Sequence, residues 1–385
     1  MDKVRYGIVG VGKQGSFYTK IFTKLGFLIK GAVLTAVCDI SADRRKWAEE
    51  NLKGVKVFDN YGDMFKSGLI DAVMVETPHY LHPEIAVAAL EAGLNVLCDK
   101  PAGVYTKQVR EMNEASQKYP KQLFGMMFNQ RTNPLYIKAK EIITTGKLGE
   151  LTRIVWIITN WYRPEAYYAQ GGWRGTWKGE GGGVLINQCP HQLDLFTWLA
   201  GLPSSVTATL STAGRNISVE NDVTAYCKFE NGATGVFITS THDAPGTNRL
   251  EITGTGGKIV IERGKLVFTE NLIKEDEFSK TNTRFMGRPK TEKHTVRLWT
   301  NRLFTLFNKP PQHIGIIKNF TDVLLGRDNN FIAKGKEGII GLTFSNAIHL
   351  SAWLNREIKL PIDEELFLEE LNKRIAEEAL TLKTE

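Results

Sequence analysis

Up to about residue 127 the chain alternates short apolar runs with longer stretches of helical periodicity. Apolar runs fall near 4–9, 33–38, 71–76, 94–98 and 122–127, with helix-like stretches near 14–28, 42–52, 81–92 and 104–119. This alternation predicts parallel β-α-β units with right-handed crossovers, that is, a doubly wound sheet. After about 130 the rhythm changes. A helix over 134–145 is followed by strand-like runs near 151–161, 205–213, 222–229, 233–241, 248–254, 257–262 and 265–269. Turns such as Glu230-Asn231-Gly232 and Gly254-Thr255-Gly256-Gly257 separate several of them, which is hairpin chemistry. One helix over 183–200 interrupts this run, and helices near 311–325, 335–356 and 363–380 close the chain. The predicted class is α/β: a doubly wound domain over 1–128, then an α+β domain over 129–385 with a large, mostly antiparallel open sheet. Such a sheet, covered by helices on one face, leaves the other for a second copy. The stretch 271–308 predicts no definite element.

In doubly wound sheets ligands lie at the carboxyl ends of the strands. That rule selects Gly10 to Gly15, Asp39, Thr77-Pro78-His79, Asp99-Lys100-Pro101 and Phe128-Asn129-Gln130-Arg131. The first of these is Gly10-x-Gly12-x-x-Gly15, placed between the first strand and the first helix. Gly10 permits the tight turn, Gly12 lets a pyrophosphate approach the backbone, and Gly15 lets the helix pack closely on the strand. The helix, opening at Lys13 and Gln14, turns its N–H groups and positive dipole end toward the phosphates. This is the Rossmann dinucleotide fingerprint. Asp39 closes the second apolar run, 24 residues after Gly15, where its carboxylate can accept from adenosine ribose hydroxyls. A 2′-phosphate there would meet a like charge, so NAD is favoured over NADP. Arg44 and Arg45 are expected on exposed faces of a helix over 41–51 capped by Ser41.

At 385 residues the chain is long enough for two domains, each with its own core, and 42% hydrophobic with 24% charged residues is ordinary for a globular protein. The N-terminus lacks the pattern of a signal peptide, and no apolar stretch suffices to span a bilayer. Cys38, Cys98, Cys189 and Cys227 form no C-x-x-C pair and read as buried, reduced thiols of a cytoplasmic protein. Part of the net charge of +7 collects at Arg284, Arg288, Lys290, Lys293, Arg297 and Arg302. No aromatic ladder accompanies them, so a solvated loop is expected rather than a nucleic-acid surface, with the acidic stretch 363–378 available to answer the charge.

Lys100 follows the fifth strand directly, and Pro101 restricts where it points. A lysine beside a cationic nicotinamide ring would hold its proton less tightly and could serve a substrate oxygen. A second constellation runs from Gly181-Gly182-Gly183 to Asn187, His191 and Asp194. If that segment is helical, these three polar residues share one face, with His191 the natural general base. Pro190 limits how early that helix can begin. His79 and His82 have metal-ligand spacing, but a helix start disfavours a cation and no third ligand is evident, so no metal is expected and their place is beside the nicotinamide. Trp161-Tyr162-Arg163, Tyr167-Tyr168, Trp173-Arg174 and Trp177 form an aromatic, glycine-rich loop suited to ring stacking or to a packed cap. His242, Asn248 and Arg249 are weaker candidates for substrate contact.

These motifs resemble those of the Gfo/Idh/MocA family of NAD(P)-dependent oxidoreductases, which act on sugars and cyclitols. The resemblance covers roughly residues 3–360 and rests on Gly10-x-Gly12-x-x-Gly15, Thr77-Pro78, Asp99-Lys100-Pro101, Trp173-Arg174 and Gly182-Gly183 through His191. It implies dimers or tetramers, Lys100 and His191 flanking the reacting carbinol, and Trp173 and Arg174 near the nicotinamide. Together with the strand-end rule, the expected cofactor set is Gly10, Gly12, Lys13, Gln14, Gly15, Asp39, Thr77, Pro78, His79, His82, Asp99, Lys100, Asn129, Trp173 and Arg174. The substrate set is Lys100, Asn129, Tyr162, Arg163, Trp173, Asn187, His191 and His242. Two departures stand out: Asp99 replaces the family's glutamate before the lysine, and Asn187 stands where inositol dehydrogenase-like members carry aspartate. The expected activity is NAD-dependent oxidation of a secondary alcohol of a sugar, glycoside or cyclitol. A glycoside-cleaving enzyme using transient oxidation and elimination, and a non-catalytic ligand sensor, are the alternatives.

Overall fold

The computed structural model describes residues 2–170, 172–298 and 311–381. Contacts divide the chain into two units: Met1–Thr132 with the described part of Phe307–Leu342, and Asn133–Leu306 with Thr343–Glu385.

The first unit carries a six-stranded parallel sheet of β1 (Val4–Val9), β2 (Ala32–Cys38), β3 (Lys56–Phe58), β4 (Ala72–Val75), β5 (Asn95–Cys98) and β6 (Phe124–Met126). Their order is β3-β2-β1-β4-β5-β6, so the winding reverses between β1 and β4. Nearly every residue of β1 and all of β4 are buried, because helices cover both faces of a parallel sheet. β3 and the helix Tyr61–Lys66 are short elements that the apolar pattern does not announce; Asn60 starts that helix by accepting from the Gly62 and Asp63 N–H groups.

The expected single cut at 128/129 differs from this division. Asn133 caps the helix Pro134–Thr144 of the second unit, accepting from Leu135 N–H, which moves the divide past Thr132. The return of a distant segment has an equally local cause. β6 would leave an edge of unpaired backbone groups, and the chain covers it: Met126 N–H donates to Ala333 O, and Gly125 bridges Lys334. The helix Pro311–Leu324 joins the same core, where the buried Tyr6 hydroxyl meets Thr321 Oγ1 at 2.8 Å.

The second unit is built on a nine-stranded sheet: β7 (Leu151–Ile158), β8 (Ser205–Ser211), β9 (Asp222–Lys228), β10 (Thr234–Ser240), β11 (Asn248–Gly254), β12 (Gly257–Glu262), β13 (Lys265–Asn271), β14 (Thr291–Arg297) and β15 (Ile358–Lys359). The order is β14-β13-β12-β11-β7-β10-β9-β8-β15, antiparallel except between β10 and β7. One face is core. Phe196 stacks on Phe344 at 5.2 Å and meets Phe237 edge-on at 5.7 Å, all three buried. The opposite face mixes half-buried Val155, Ile157, Val236 and Ile238 with ion pairs of Arg249 and Lys258 to Glu251 and of Arg249 to Glu262.

Part of 271–308 proves regular, with a helix at Glu275–Thr281 and β14 at the sheet edge. The basic cluster is therefore partly an exposed edge strand rather than a loop; Arg302 lies outside the described residues. The acidic helix Glu364–Thr381 does not answer it with Glu370 or Glu378. Glu370 pairs with Lys373 and Arg374 on its own helix, and the Glu378 carboxylate accepts from the Trp177 and Lys178 N–H groups. Among the described residues no helix is long and apolar enough to cross a membrane. Replacing Phe196 by alanine should cost about 3–5 kcal/mol of stability, read from urea unfolding; a loss below about 1 kcal/mol would remove the aromatic cluster from the core.

Candidate active site

The first unit carries the dinucleotide side. β1 ends at Gly10, whose φ of +88° suits glycine and whose added Cβ would lie 2.7 Å from Glu76 O. At Gly15 an added Cβ would lie 1.9 Å from Gly10 O, so only glycine lets the helix Lys13–Leu25 cross the turn this closely. Gly12 meets nothing within 4 Å of an added Cβ, and Gly12, Lys13 and Gln14 are exposed. Open backbone at a helix N-terminus, fenced by two tight glycines, fits a pyrophosphate. Asp39 fixes the rim: one carboxylate oxygen accepts from Val11 N–H at 2.8 Å and the other from Ser41 N–H at 2.9 Å. These bonds hold a negative charge at the end of β2.

Arg44 departs from expectation. It is half-buried and reaches back over the glycine turn, donating to Val11 O and Ser16 Oγ while stacking on Trp47 at 4.5 Å. Its length and charge let it satisfy a carbonyl that the turn leaves outside the sheet. Arg45 likewise bonds the carbonyls of Asp39 and Ile40, and Ser41 occupies the cap position without a side-chain capping bond.

At the ends of β4 and β5 lie Glu76-Thr77-Pro78-His79 and Asp99-Lys100-Pro101. His82 is buried between them, with Nδ1 2.7 Å from Pro101 O and Nε2 2.8 Å from Thr77 O. Burial favours the neutral ring, whose single N–H donates to one of these two carbonyls while the other nitrogen packs against the second loop, which places His82 in loop support rather than at an open cofactor surface. Its ring lies 6.1 Å from that of buried His79, while Pro78 is exposed. Both carboxylate oxygens of Glu76 are out of solvent without a hydrogen-bond donor. Burial and the negative charge of Asp99 push its carboxyl well above the usual range, against a smaller opposing pull from Lys100. The buried Tyr18 hydroxyl is raised too, by burial and by Asp99 and Glu76.

Asn129 is buried and its Nδ2 lies 3.1 Å from the ring nitrogens of His313, which packs against Phe17 and Tyr18. Burial and the positive charge of Lys100 pull His313 down to about 4, so its ring is neutral at neutral pH. His313 has no signal in the sequence around it; only the return of its helix to this unit brings it near Lys100.

The second unit carries another polar constellation. The helix expected over 183–200 begins only at Pro190, where the missing N–H is no loss, and Gly183 to Cys189 form turns. Asn187 and His191 are therefore not i, i+4 partners on one helix. The turns are held by the buried Glu220 carboxylate, which accepts from the Gly183 and Leu185 N–H groups at 2.9–3.1 Å and faces His349 Nε2 at 3.2 Å. A Cβ on Gly183 would lie 1.8 Å from Glu220 O, which requires glycine there.

Tyr167 is the hub of the aromatic loop. Its hydroxyl accepts from Arg174 at 2.7 Å, Asn187 Nδ2 at 3.1 Å and Gln188 Nε2 at 3.2 Å. Arg174 lies over the Tyr167 and Trp173 rings, and Arg163 over Tyr167. Tyr162 is exposed beneath Arg215. Buried Glu180 completes the network, accepting from Gly175 N–H at 2.7 Å and from Asn187 Nδ2, with Arg174 3.8 Å away. Burial pushes its carboxyl up to about 7, against the opposing pull of those donors. A charged residue beside the glycine run was visible in the sequence; its burial was not. His242 pairs with Asp222 at 2.7 Å. Asn248 accepts from Trp156 Nε1 and Arg249 is engaged by Glu251 and Glu262, so both belong to the sheet rather than to this network.

Among the described residues, no cluster of three or more His, Cys, Asp or Glu could hold a metal ion. The cofactor the chain does fit is a dinucleotide. Residues 4–126 match the model of an oxidoreductase family with an NAD-binding Rossmann fold, and residues 136–260 match the Gfo/Idh/MocA C-terminal domain. The chain belongs to the Gfo/Idh/MocA family of NAD-binding oxidoreductases. It is 26% identical over 263 residues to the rhizopine catabolism protein MocA of Rhizobium meliloti, an alignment covering 67% of this chain and 78% of that protein. It is 27% identical over 198 residues to an inositol 2-dehydrogenase of Corynebacterium glutamicum, covering 51% of this chain and 54% of that enzyme; the match thus spans about half the enzyme's length. Among solved structures, the WlbA dehydrogenase of Bordetella pertussis, in complex with NADH and UDP-GlcNAcA, superposes with a TM-score of 0.75 at 25% identity over 94% of this chain and 100% of that one. A levoglucosan dehydrogenase in complex with NADH and L-sorbose shares the fold, with a TM-score of 0.77 at 21% identity over 94% of this chain and 100% of that one.

A raised carboxyl has a stability signature. The folded-state value of Glu180, about 7, lies above its ordinary 4.5, so its contribution favours folding at low pH and is lost as pH rises from about 4.5 to 7. Melting temperatures of the wild type and Glu180→Gln should diverge in favour of the variant between pH 5 and 8. Parallel curves would place the carboxyl in solvent.

Proposed function

We propose that the chain oxidises a secondary alcohol of a sugar, glycoside or cyclitol reversibly, with NAD as hydride acceptor. The observation that carries this reading is Lys100 directly after β5, at its carboxyl end, with the neutral His313 and the buried Glu76 carboxyl as electrostatic neighbours. NAD, when bound, supplies the hydride-accepting ring. Lys100 polarises the carbinol oxygen and stabilises the developing alkoxide, and His191 takes the hydroxyl proton. Asn187, Tyr162, Arg163, Trp173 and His242 contact the ring of the substrate, with Asn129 positioned through His313. Asp39 selects NAD over NADP through its charge at the end of β2.

The open sheet face supports a homodimer or homotetramer: Val155, Ile157, Val236 and Ile238 are only half-buried there, with charged pairs along one side. Four buried cysteines, none of them in a disulfide, suit a reducing, cytoplasmic setting.

Lys100→Met should lower kcat/KM by at least about a hundredfold with a panel of polyols and glycosides, while NADH affinity stays within a few-fold. Undiminished turnover would remove Lys100 from the chemistry; product formation from glycosides without net NADH would favour the elimination reaction. Asp39→Ala should weaken NAD binding and relax discrimination against NADP by about tenfold or more, as one lost charge contact implies. An unchanged ratio of dissociation constants would reassign the selectivity.

A further inference from the structure

The fold divides the dinucleotide crevice in a definite way. Asp39, at the end of β2, holds the adenosine side, and the glycine turn after β1 holds the phosphates. The nicotinamide half therefore continues across the reversal point, over the ends of β4 and β5. Glu76 directly follows β4 and precedes the Thr77-Pro78 turn. It lies directly under the phosphate turn: an added Cβ on Gly15 would be 3.6 Å from Glu76 Cβ. Its two oxygens are buried without a donor, although the carboxyl faces that of Asp99. A carboxylate so placed would repel its neighbour with nothing to satisfy it; a carboxylic acid carries a proton it can offer.

We propose that Glu76 is protonated in the free protein and releases that proton when NAD+ binds. The cationic ring then has a carboxylate beside it, and oxidised-cofactor affinity rises with pH while NADH affinity does not. The step balances as carboxylic acid to carboxylate plus one proton to solvent. It rests on the NAD reading above. The groups facing Glu76 are Cys98 from β5, Asp99 and Lys100 from the turn after it, and Tyr18 from the helix Lys13–Leu25. Burial raises Cys98 and Tyr18, so both keep their protons near neutral pH. His313, held to about 4, has none to give there. Glu76, sharing its site with Asp99, and Lys100 are the two sources that the variants below distinguish.

Calorimetric titration of NAD+ and NADH in buffers of different ionisation enthalpy, over pH 5.5–8.5, counts the protons. The wild type should release up to one proton per NAD+ and gain up to about tenfold in NAD+ affinity per pH unit, with NADH nearly flat. Glu76→Gln should bind NAD+ with no release and no pH slope, and Lys100→Met should retain both. Persistence of release in Glu76→Gln, or its loss in Lys100→Met, overturns the proposal in favour of Lys100. Equal slopes for NAD+ and NADH overturn it without any variant, should Glu76→Gln fail to fold. Binding of neither nucleotide would overturn both this proposal and the NAD reading, whereas binding without proton release overturns this one alone.

Discussion

Everything on the cofactor side depends on backbone approaching backbone where a side-chain carbon has no room. The helix after β1 crosses the preceding turn so closely that a methyl at residue 15 would sit 1.9 Å from a carbonyl oxygen. That approach draws the N-terminal N–H groups over the strand end and leaves Gly12 facing open space. The second unit repeats the device with different partners. Gly183 lies against the Glu220 carbonyl at 1.8 Å from an added Cβ, and the Glu220 carboxylate gathers the N–H groups of the same turn. In both places a glycine sets the distance and a carboxylate then fixes the loop: Asp39 in one, Glu220 in the other.

Buried carboxyl groups recur around these loops, and they differ in how far their charge is met. Glu220 accepts from two backbone N–H groups and faces a histidine. Glu180 has one backbone donor, an amide and a guanidinium at 3.8 Å, and burial still carries it to about 7. Glu76 has no donor and faces another carboxyl. Burial raises Glu180 and Glu76 alike, and Glu76, faced by another carboxyl rather than by a donor, is the one proposed to respond to what binds beside it. Desolvation costs a carboxylate several kcal/mol when donors are missing.

Much of this architecture was legible in the chain. The apolar runs expected at 4–9 and 71–76 contain the strands Val4–Val9 and Ala72–Val75, and the glycine fingerprint located the tight turn between β1 and the following helix to the residue. The short β3 and Tyr61–Lys66 escaped because three and six residues are too few to establish a period. The segment 183–189 read as helix since its apolar spacing fits one, whereas its backbone donors are claimed by Glu220, which lies more than thirty residues away. His313 and the covering of β6 by 333–334 were out of reach for the same reason: each is a long-range pairing, and local pattern carries no record of which distant segment completes an edge. Arg44 was misplaced by treating a helix face as exposed when the side chain was long enough to return to the turn.

The resemblance to inositol dehydrogenase-like members implies an aspartate where Asn187 stands, and the structure gives the amide a partner. Its Nδ2 donates to the Glu180 carboxylate and to the Tyr167 hydroxyl. An aspartate at 187 would set a second negative charge against Glu180, which is already held far above its ordinary range by burial. The amide removes that repulsion and turns the contact into a donor–acceptor pair. Residues 180 and 187 therefore have to be read together: the acid sits at 180, and 187 supplies the donor that an acid there requires. The amide and the phenol are thereby oriented by Glu180 and Arg174, so the substrate contact proposed for Asn187 rests on the geometry of that quartet rather than on the identity of residue 187 alone.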